Sequence, residues 1–170
     1  MRSPLFEGPS THLSPRNIHY RAATLADVVE MARCRLADPA AGPADPRMAA
    51  YLEGKHHPRQ ALTARIAYVA LVGERVVGYL AGHLTRRYEC EGEVQYLFVD
   101  PSHRRVGVAS QLLRELAAWF TEQGAGRICV DVEPGNAPAR AFYKRSGAIE
   151  LQPSWLVWND IRSVGAGAAR

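Results

Sequence analysis

The segment 94–109 carries residues that could hold a phosphate group. It reads as a strand, a proline-containing turn and then Arg-Arg-Val-Gly-Val-Ala at the start of a helix. The first amides of a helix lack internal partners and lie at the positive end of its dipole, so they attract anions. Gly107 lets a ligand approach the main chain, and Arg104 and Arg105 add positive charge. We therefore predict a diphosphate site here; the alternative is an ordinary strand–helix turn with solvated arginines.

Two polar side chains downstream are spaced to share one face of a helix. Asn136 and Tyr143 are seven residues apart, which is about two helical turns. Asn136 is a favourable helix cap, Pro138 is tolerated in the first turn, and Gly147 is a stop signal. The sequence therefore predicts a short helix that presents Asn136 and Tyr143 together; the alternative for Tyr143 is a core tyrosine with its hydroxyl at the rim.

Glu93 is the carboxylate best placed to act as a base. It begins the strand that leads into the phosphate loop, and strict alternation predicts that it shares a face with Gln95, Leu97 and Val99. Two alternatives stay open: an ordinary solvated carboxylate at a strand end, or a base role for the nearby Glu89 or Glu91.

The elements that must position these residues follow from the periodicity of the apolar side chains. Residues 109, 112, 113, 116, 117 and 120 form one apolar stripe on a helix that ends near Gly124. We predict strands at 18–21, 66–72, 75–84, 93–99, 127–132, 149–151 and 155–158, and helices after Thr24, at 47–53, from 108 and at 136–146. This order predicts an α/β fold with a mixed sheet, antiparallel hairpins and one βαβ crossover.

Length and composition indicate one globular domain. The 170 residues and their apolar content suit a single core. We expect a flexible arm at 1–16, one domain at 17–160 and a flexible tail at 161–170. The net charge of +4 is too small to favour nucleic-acid binding, and no apolar stretch is long enough to cross a membrane. The three scattered cysteines lack metal-ligand spacing and fit a reducing cytoplasm.

The two motifs together resemble those of the GNAT superfamily of N-acetyltransferases. The loop is similar to the family's Arg/Gln-x-x-Gly-x-Gly/Ala signature, and 136–147 is similar to its Asn-x-x-Ala-x-x-Phe-Tyr-x-x-x-Gly motif. Two small departures are Arg105 and Ala148, where the family often has Gly and Phe. The resemblance implies acetyl-CoA as cofactor and a mostly antiparallel sheet whose parallel strand pair splays around pantetheine. The cofactor contacts that it implies are Leu97, Phe98, Val99, Arg104, Arg105, Val106, Gly107, Val108, Ala109, Ser110, Asn136 and Tyr143.

The resemblance also implies roles in catalysis. The amide of Leu97 or Phe98 would polarise the thioester carbonyl, Tyr143 would be the acid toward the departing thiolate, and Glu93 or a water relay would be the base. The expected reaction is acetyl transfer to a primary amine of a small molecule or peptide, with a catalytically silent CoA-binding module as the alternative. Residues 37–53 and 152–158 would shape the acceptor site, and a homodimer is compatible with the resemblance.

Overall fold

The computed structural model describes residues 17–166. The helices are α1 (Val28–Leu36), α2 (Met48–Leu52), α3 (Val108–Glu122) and α4 (Ala137–Arg145). The strands are β1 (Ile18–Ala22), β2 (Ala61–Val72), β3 (Arg75–Thr85), β4 (Gly92–Val99), β5 (Ile128–Asp131), β6 (Ile149–Gln152) and β7 (Trp155–Trp158). The expected order of elements is confirmed; the main difference is that β2 begins five residues earlier than the apolar pattern indicated.

All seven strands form one sheet in the order β1-β2-β3-β4-β5-β7-β6. Every neighbouring pair is antiparallel except β4 and β5, which run parallel and are joined through α3. The prediction of a mixed sheet with one βαβ crossover is therefore confirmed. The crossover brings the carboxyl ends of β4 and β5 side by side, next to the start of α3.

The two faces of the sheet are covered by different helices. On one face, the apolar stripe of α3 is buried as predicted, and Leu112, Leu116 and Phe120 are fully enclosed. Close approach of α3 requires glycine in the strands beneath it: a Cβ on Gly82 or Gly92 would lie less than 3.0 Å from the Phe120 ring. The other face packs against α1 and α2 through a second cluster of buried side chains. The sheet is thus the middle layer between the two sets of helices. Side chains near the end of β4 contact both clusters.

The first residues after the expected boundary at 160 pack against the domain. Ile161–Ser163 forms a 3-10 turn, Ile161 is 0% exposed, and its amide donates to the carbonyl of Gly126 at 2.8 Å. The domain therefore extends beyond residue 160, because this apolar side chain completes the packing against α3. The expected arm at 1–16 and the last four residues of the expected tail lie outside the described residues.

Within residues 17–166, no helix combines the length and the apolar character that crossing a lipid bilayer would require.

Candidate active site

A β-bulge interrupts β4 at Tyr96. Tyr79 lies opposite Phe98 and Ala81 lies opposite Gln95, so β4 has one residue more than β3 in this stretch. Tyr96 takes up the extra residue with a left-handed φ of 56°. Bulges bend a strand and re-aim the side chains that follow. The bulge therefore changes which face each later side chain of β4 occupies.

This bulge overturns the expectation that Glu93 and Gln95 share a face with Leu97 and Val99. Leu97 and Val99 pack with the α3 cluster, as Val94 does before the bulge. Glu93, whose partner in the register is His83, points to the opposite face. Strict alternation fails here because the extra residue shifts the side-chain period by one.

Just before the bulge, β4 and β5 separate. Their parallel pairing ends at Val94 and Val130, and the amide of Val132 donates to Ser154 rather than to β4. The Asp100 amide donates to Val77 on β3, so alternation turns the amide of Phe98 toward β3 and those of Leu97 and Val99 toward the gap. The gap thus has free main-chain donors along one side.

The same alternation distinguishes between Leu97 and Phe98, the two residues whose amides were proposed to donate to the thioester carbonyl. Phe98 cannot supply that donor, because its amide faces β3 and its side chain is buried against Tyr79. Leu97 can, because its amide faces the gap and its side chain lies along the cleft wall. Val99 offers a second donor, one step closer to the phosphate loop.

The start of α3, where the sequence predicts a diphosphate site, has no side-chain cap. Gly107 is the N-cap with a φ of 89°, no side chain caps the helix, and its first turn has no acidic residue. A Cβ on Gly107 would meet nothing within 4 Å, so the space before these amides is free. Val108 is buried and offers only its amide, while Ala109 and Ser110 are half-buried. These residues fit the diphosphate of coenzyme A.

Arg105 and Val106 lie on the exposed rim of the loop. Arg105 adopts a left-handed φ of 63°, which explains why the resembling family often has glycine at this position. Arg105 is exposed, and its contact with a phosphate stays a prediction. Val106 is exposed and contributes main chain only.

Arg104 has a different role from the expected free cation. Its Nε donates to the carbonyl of Val99 at 2.9 Å, and its Nη2 pairs with Asp38 at 2.7 Å. The guanidinium also lies 5.7 Å from the centre of the Phe98 ring. Arg104 therefore ties the loop to the end of β4 and to the segment after α1. Spacing alone could not distinguish this tether from a phosphate contact.

Replacement of Arg104 by alanine tests this tether. We expect the free energy of unfolding to fall by about 1 kcal/mol through loss of the hydrogen bond to Val99. The affinity for coenzyme A should also fall several-fold, because the loop loses its attachment. Arg105→Ala is the matched control, since it removes the same charge from the same loop but no ordered contact. Thermal melts measure the stability of both variants, and calorimetry measures their affinity for coenzyme A. An equal loss of stability in the two variants would contradict the tether.

A cleft of about 680 Å³ joins the strand gap to the segment between α1 and α2. Its walls include Leu97 and Val130 at the gap, and Asn136 and Tyr143 from α4. Residues 43–47 close the far side, which places part of the expected acceptor segment against the cleft. The residues that the second motif singled out are therefore brought together with the split strands.

Tyr143 is 5% exposed, and its ring meets Trp158 edge-on at 5.6 Å. Within residues 17–166 its hydroxyl has no hydrogen-bond partner, although the residue lines the cleft. Burial raises the pKa of Tyr143 above the ordinary value for tyrosine. The phenol therefore stays protonated at neutral pH and can donate a hydrogen bond into the cleft.

Asn136 has a second role beside the expected cofactor contact, because its side chain caps α4. Its side-chain oxygen accepts from the Ala139 amide at 3.3 Å and so caps α4. The amide NH₂ group can donate to a ligand, and the oxygen keeps one lone pair for a second hydrogen bond. The cap therefore orients the Asn136 side chain, and its contact with the cofactor stays a prediction.

Glu93 is neither a solvated carboxylate nor a wall of the cleft. It is 1% exposed; its Oε2 lies 3.5 Å from Nε2 of His83 and 3.4 Å from Nε of Arg87. Gln95, which does line the cleft, donates to Oε1 of Glu93 at 3.0 Å. The Nδ1 of His83 continues the chain to the Tyr51 hydroxyl at 3.0 Å. Glu93 thus belongs to a buried polar network beneath Gln95.

Three carboxylates that the sequence reasoning missed line the cleft: Asp131, Glu133 and Asp45. Asp131 ends β5 as an exposed residue, and partial desolvation of its carboxylate, followed by the charge of Glu93, raises its pKa. Asp45 accepts from Tyr96 and from Arg47, and these contacts lower its pKa to about 2. Asp131 could have been found, because ligands of α/β sheets bind at the carboxyl ends of parallel strands. Asp45 had no such signal.

Comparison with known proteins agrees with this geometry. The profile of the acetyltransferase (GNAT) family matches residues 28–148. Streptothricin acetyltransferase of Streptomyces lavendulae is 34% identical over 73 residues. That match spans 41% of this chain and only 39% of the relative.

Solved structures share the fold at low identity. The ribosomal-protein-S18-alanine N-acetyltransferase of Escherichia coli aligns with a TM-score of 0.62 at 17% identity, over 79% of each chain. The PaiA N-acetyltransferase of Thermoplasma acidophilum, solved in complex with coenzyme A, aligns with a TM-score of 0.58 at 15% identity, over 82% of this chain and 96% of that one. The split strand pair and the uncapped start of α3 agree with the matched profile. This chain therefore belongs to the GNAT acetyltransferase family, whose cofactor is acetyl-CoA.

Proposed function

We propose that the protein transfers the acetyl group of acetyl-CoA to a primary amine of a small molecule or peptide by direct attack on the thioester. The observation that carries this proposal is the gap between β4 and β5, which has free amides on one side and the Tyr143 hydroxyl in the same cleft. The partial similarity to streptothricin acetyltransferase supports a small-molecule acceptor.

Each of these groups has a separate task. The amides at the start of α3 hold the diphosphate, and Arg105 adds charge at the rim. The Leu97 amide donates to the thioester carbonyl as its oxygen gains negative charge; one such donor is worth roughly 3–4 kcal/mol in another enzyme. The Tyr143 hydroxyl donates to the sulfur as the carbon–sulfur bond breaks.

The acceptor side of the cleft carries polar side chains. Residues 43–47 face the gap, and Asp45 fixes Tyr96 and Arg47 in place through hydrogen bonds. An amine must be unprotonated to attack, so a group on this side must take up a proton. The cleft therefore supplies both a place for the acceptor and carboxylates beside it.

Turnover of the purified protein tests this proposal. We expect release of free thiol from acetyl-CoA when the protein meets a suitable amine in a panel of small-molecule amines and peptides, with mass spectrometry confirming the acetylated product. Gly107→Glu protein is the negative control. Binding of coenzyme A by calorimetry without turnover on any amine would favour the catalytically silent module instead.

A further inference from the structure

We propose that Asp131 is the general base, whose carboxylate takes the proton from the acceptor amine, while Glu93 acts on it from beneath as a positioning residue. This inference deepens the proposed function and rests on it. It assigns the base to a residue at the end of β5 in place of the β4 carboxylate that the sequence favoured.

The first argument is the face of the sheet that Asp131 occupies. Asp131 of β5 lies opposite Trp155 of β7 in the register. Trp155 packs with Cys129 on the face of the sheet away from α3 and α4. Tyr143, in contrast, belongs to the cluster under α3 and α4. Asp131 and Tyr143 therefore approach the strand gap from opposite faces.

Opposite faces suit the two proton-handling tasks of acetyl transfer. The amine adds to one face of the planar thioester carbonyl, and the sulfur departs from the tetrahedral intermediate that forms, so the base beside the nitrogen and the donor beside the sulfur are different groups at different positions. Tyr143 is proposed as the donor to the sulfur, so the base is sought on the other face of the sheet. Asp131, Gln95 and Tyr96 line the cleft on that face.

The second argument is elimination among the carboxylates near the cleft. Asp45 is occupied by hydrogen bonds from Tyr96 and Arg47. Glu93 is buried and is not part of the cleft wall. Glu133 also lines the cleft, but it lies past the end of β5, two residues farther from the paired part of the strands. Asp131 lines the cleft beside the gap and, within the described residues, accepts no hydrogen bond.

The charges around Asp131 determine its strength as a base. Glu93 and Arg87 face it from β4 and the turn before that strand, Glu133 follows it, and Arg35, Asp45 and Arg47 lie across the cleft. Partial desolvation and the negative charges of Glu93 and Glu133 raise the pKa of Asp131, whereas Arg87 lowers it. A raised pKa makes the carboxylate a better proton acceptor.

The step balances without any further reactant. The amine nitrogen forms a bond to the acetyl carbon, and the carbon–sulfur bond breaks. The nitrogen gives one proton to the Asp131 carboxylate, and the departing thiolate accepts a hydrogen bond or a proton from Tyr143. Solvent returns both side chains to their starting protonation states.

The test is the pH profile of kcat/KM, measured for wild-type protein, Asp131→Asn, Asp131→Glu and Glu133→Gln with one amine from the panel. We expect Asp131→Asn to lower kcat/KM by about 100- to 1,000-fold and to remove the contribution of this carboxylate to the acidic fall of the profile, so that only the fall caused by protonation of the amine itself remains. Asp131→Glu should recover part of the rate. Glu133→Gln is the control for loss of one negative charge in the cleft, and its change should stay below about threefold.

Glu93→Gln separates positioning from catalysis. It should move the acidic fall of the profile to lower pH, because removing the negative charge of Glu93 lowers the pKa of Asp131. The proposal is overturned if Asp131→Asn keeps its rate within about threefold, if Glu133→Gln loses as much as Asp131→Asn, or if Glu93→Gln alone removes the acidic fall. An inactive wild-type protein would overturn the proposed function itself, whereas an active wild type with an unaffected Asp131→Asn overturns only this inference.

Discussion

Replacing Gly107 with glutamate is expected to abolish measurable binding of coenzyme A. The carboxylate would stand before the uncapped amides of α3, where a phosphate has to lie. Two unit charges 4 Å apart repel by about 4 kcal/mol at the effective dielectric constant of a protein surface. Half of that repulsion would already weaken binding about 30-fold, and the side chain also fills the space that the diphosphate needs.

Gly107→Gln separates charge from bulk and from backbone strain. Glutamine has the same size as glutamate and pays the same cost for a φ of 89° at this position, so both variants should lose the same stability in thermal melts. Calorimetry with coenzyme A should show weak binding for the glutamine variant and none for the glutamate variant. Equal affinity of the glutamate variant and the wild type would contradict the location of the diphosphate.

The sequence was sufficient for features that depend on local periodicity. The stripe from 109 to 120 predicted α3, and its members from Leu112 to Phe120 that face the sheet are buried. The predicted start of that helix at 108 is confirmed, and Gly107 is its N-cap. The same holds for the parallel crossover, which follows from the order of elements.

The faces of β4 could not be predicted, because Tyr96 carries no mark of its unusual backbone. A glycine in a strand suggests a bulge, whereas tyrosine is a typical strand residue. The bulge arises from the register with β3, which is set by tertiary packing. Every assignment after Tyr96 that relied on alternation was therefore reversed, including the face of Leu97.

Contacts between residues far apart in the sequence could not be predicted either. Arg104 is 66 residues from Asp38, and the fold alone brings them together. Glu93 was expected at a strand end and is instead enclosed by His83 and Arg87. Residue types indicated which groups could do chemistry, but their burial and their partners decided which of them face the cleft.

Tyr143→Phe is expected to lower kcat by about 10- to 100-fold with little change in the KM for acetyl-CoA. A hydrogen bond to a charged group is worth about 1.5–3 kcal/mol, and the Tyr143 hydroxyl would make it only as the sulfur gains negative charge. The ring keeps its edge-on contact with Trp158, so the free energy of unfolding should hardly change. Because burial raises the pKa of Tyr143, the wild-type rate should show no loss from tyrosine ionisation below about pH 10.

The comparison of Tyr143→Phe with Tyr143→Ala shows whether the hydroxyl or the ring matters. The alanine variant leaves a cavity beside Trp158 and should lose roughly 3–5 kcal/mol of stability, as large aromatic truncations do. Steady-state kinetics and thermal melts on both variants would contradict the proposed role if Tyr143→Phe kept the full kcat. In that case Tyr143 would act only through packing, and the thiolate would have to be stabilised by water or by the main chain of the gap.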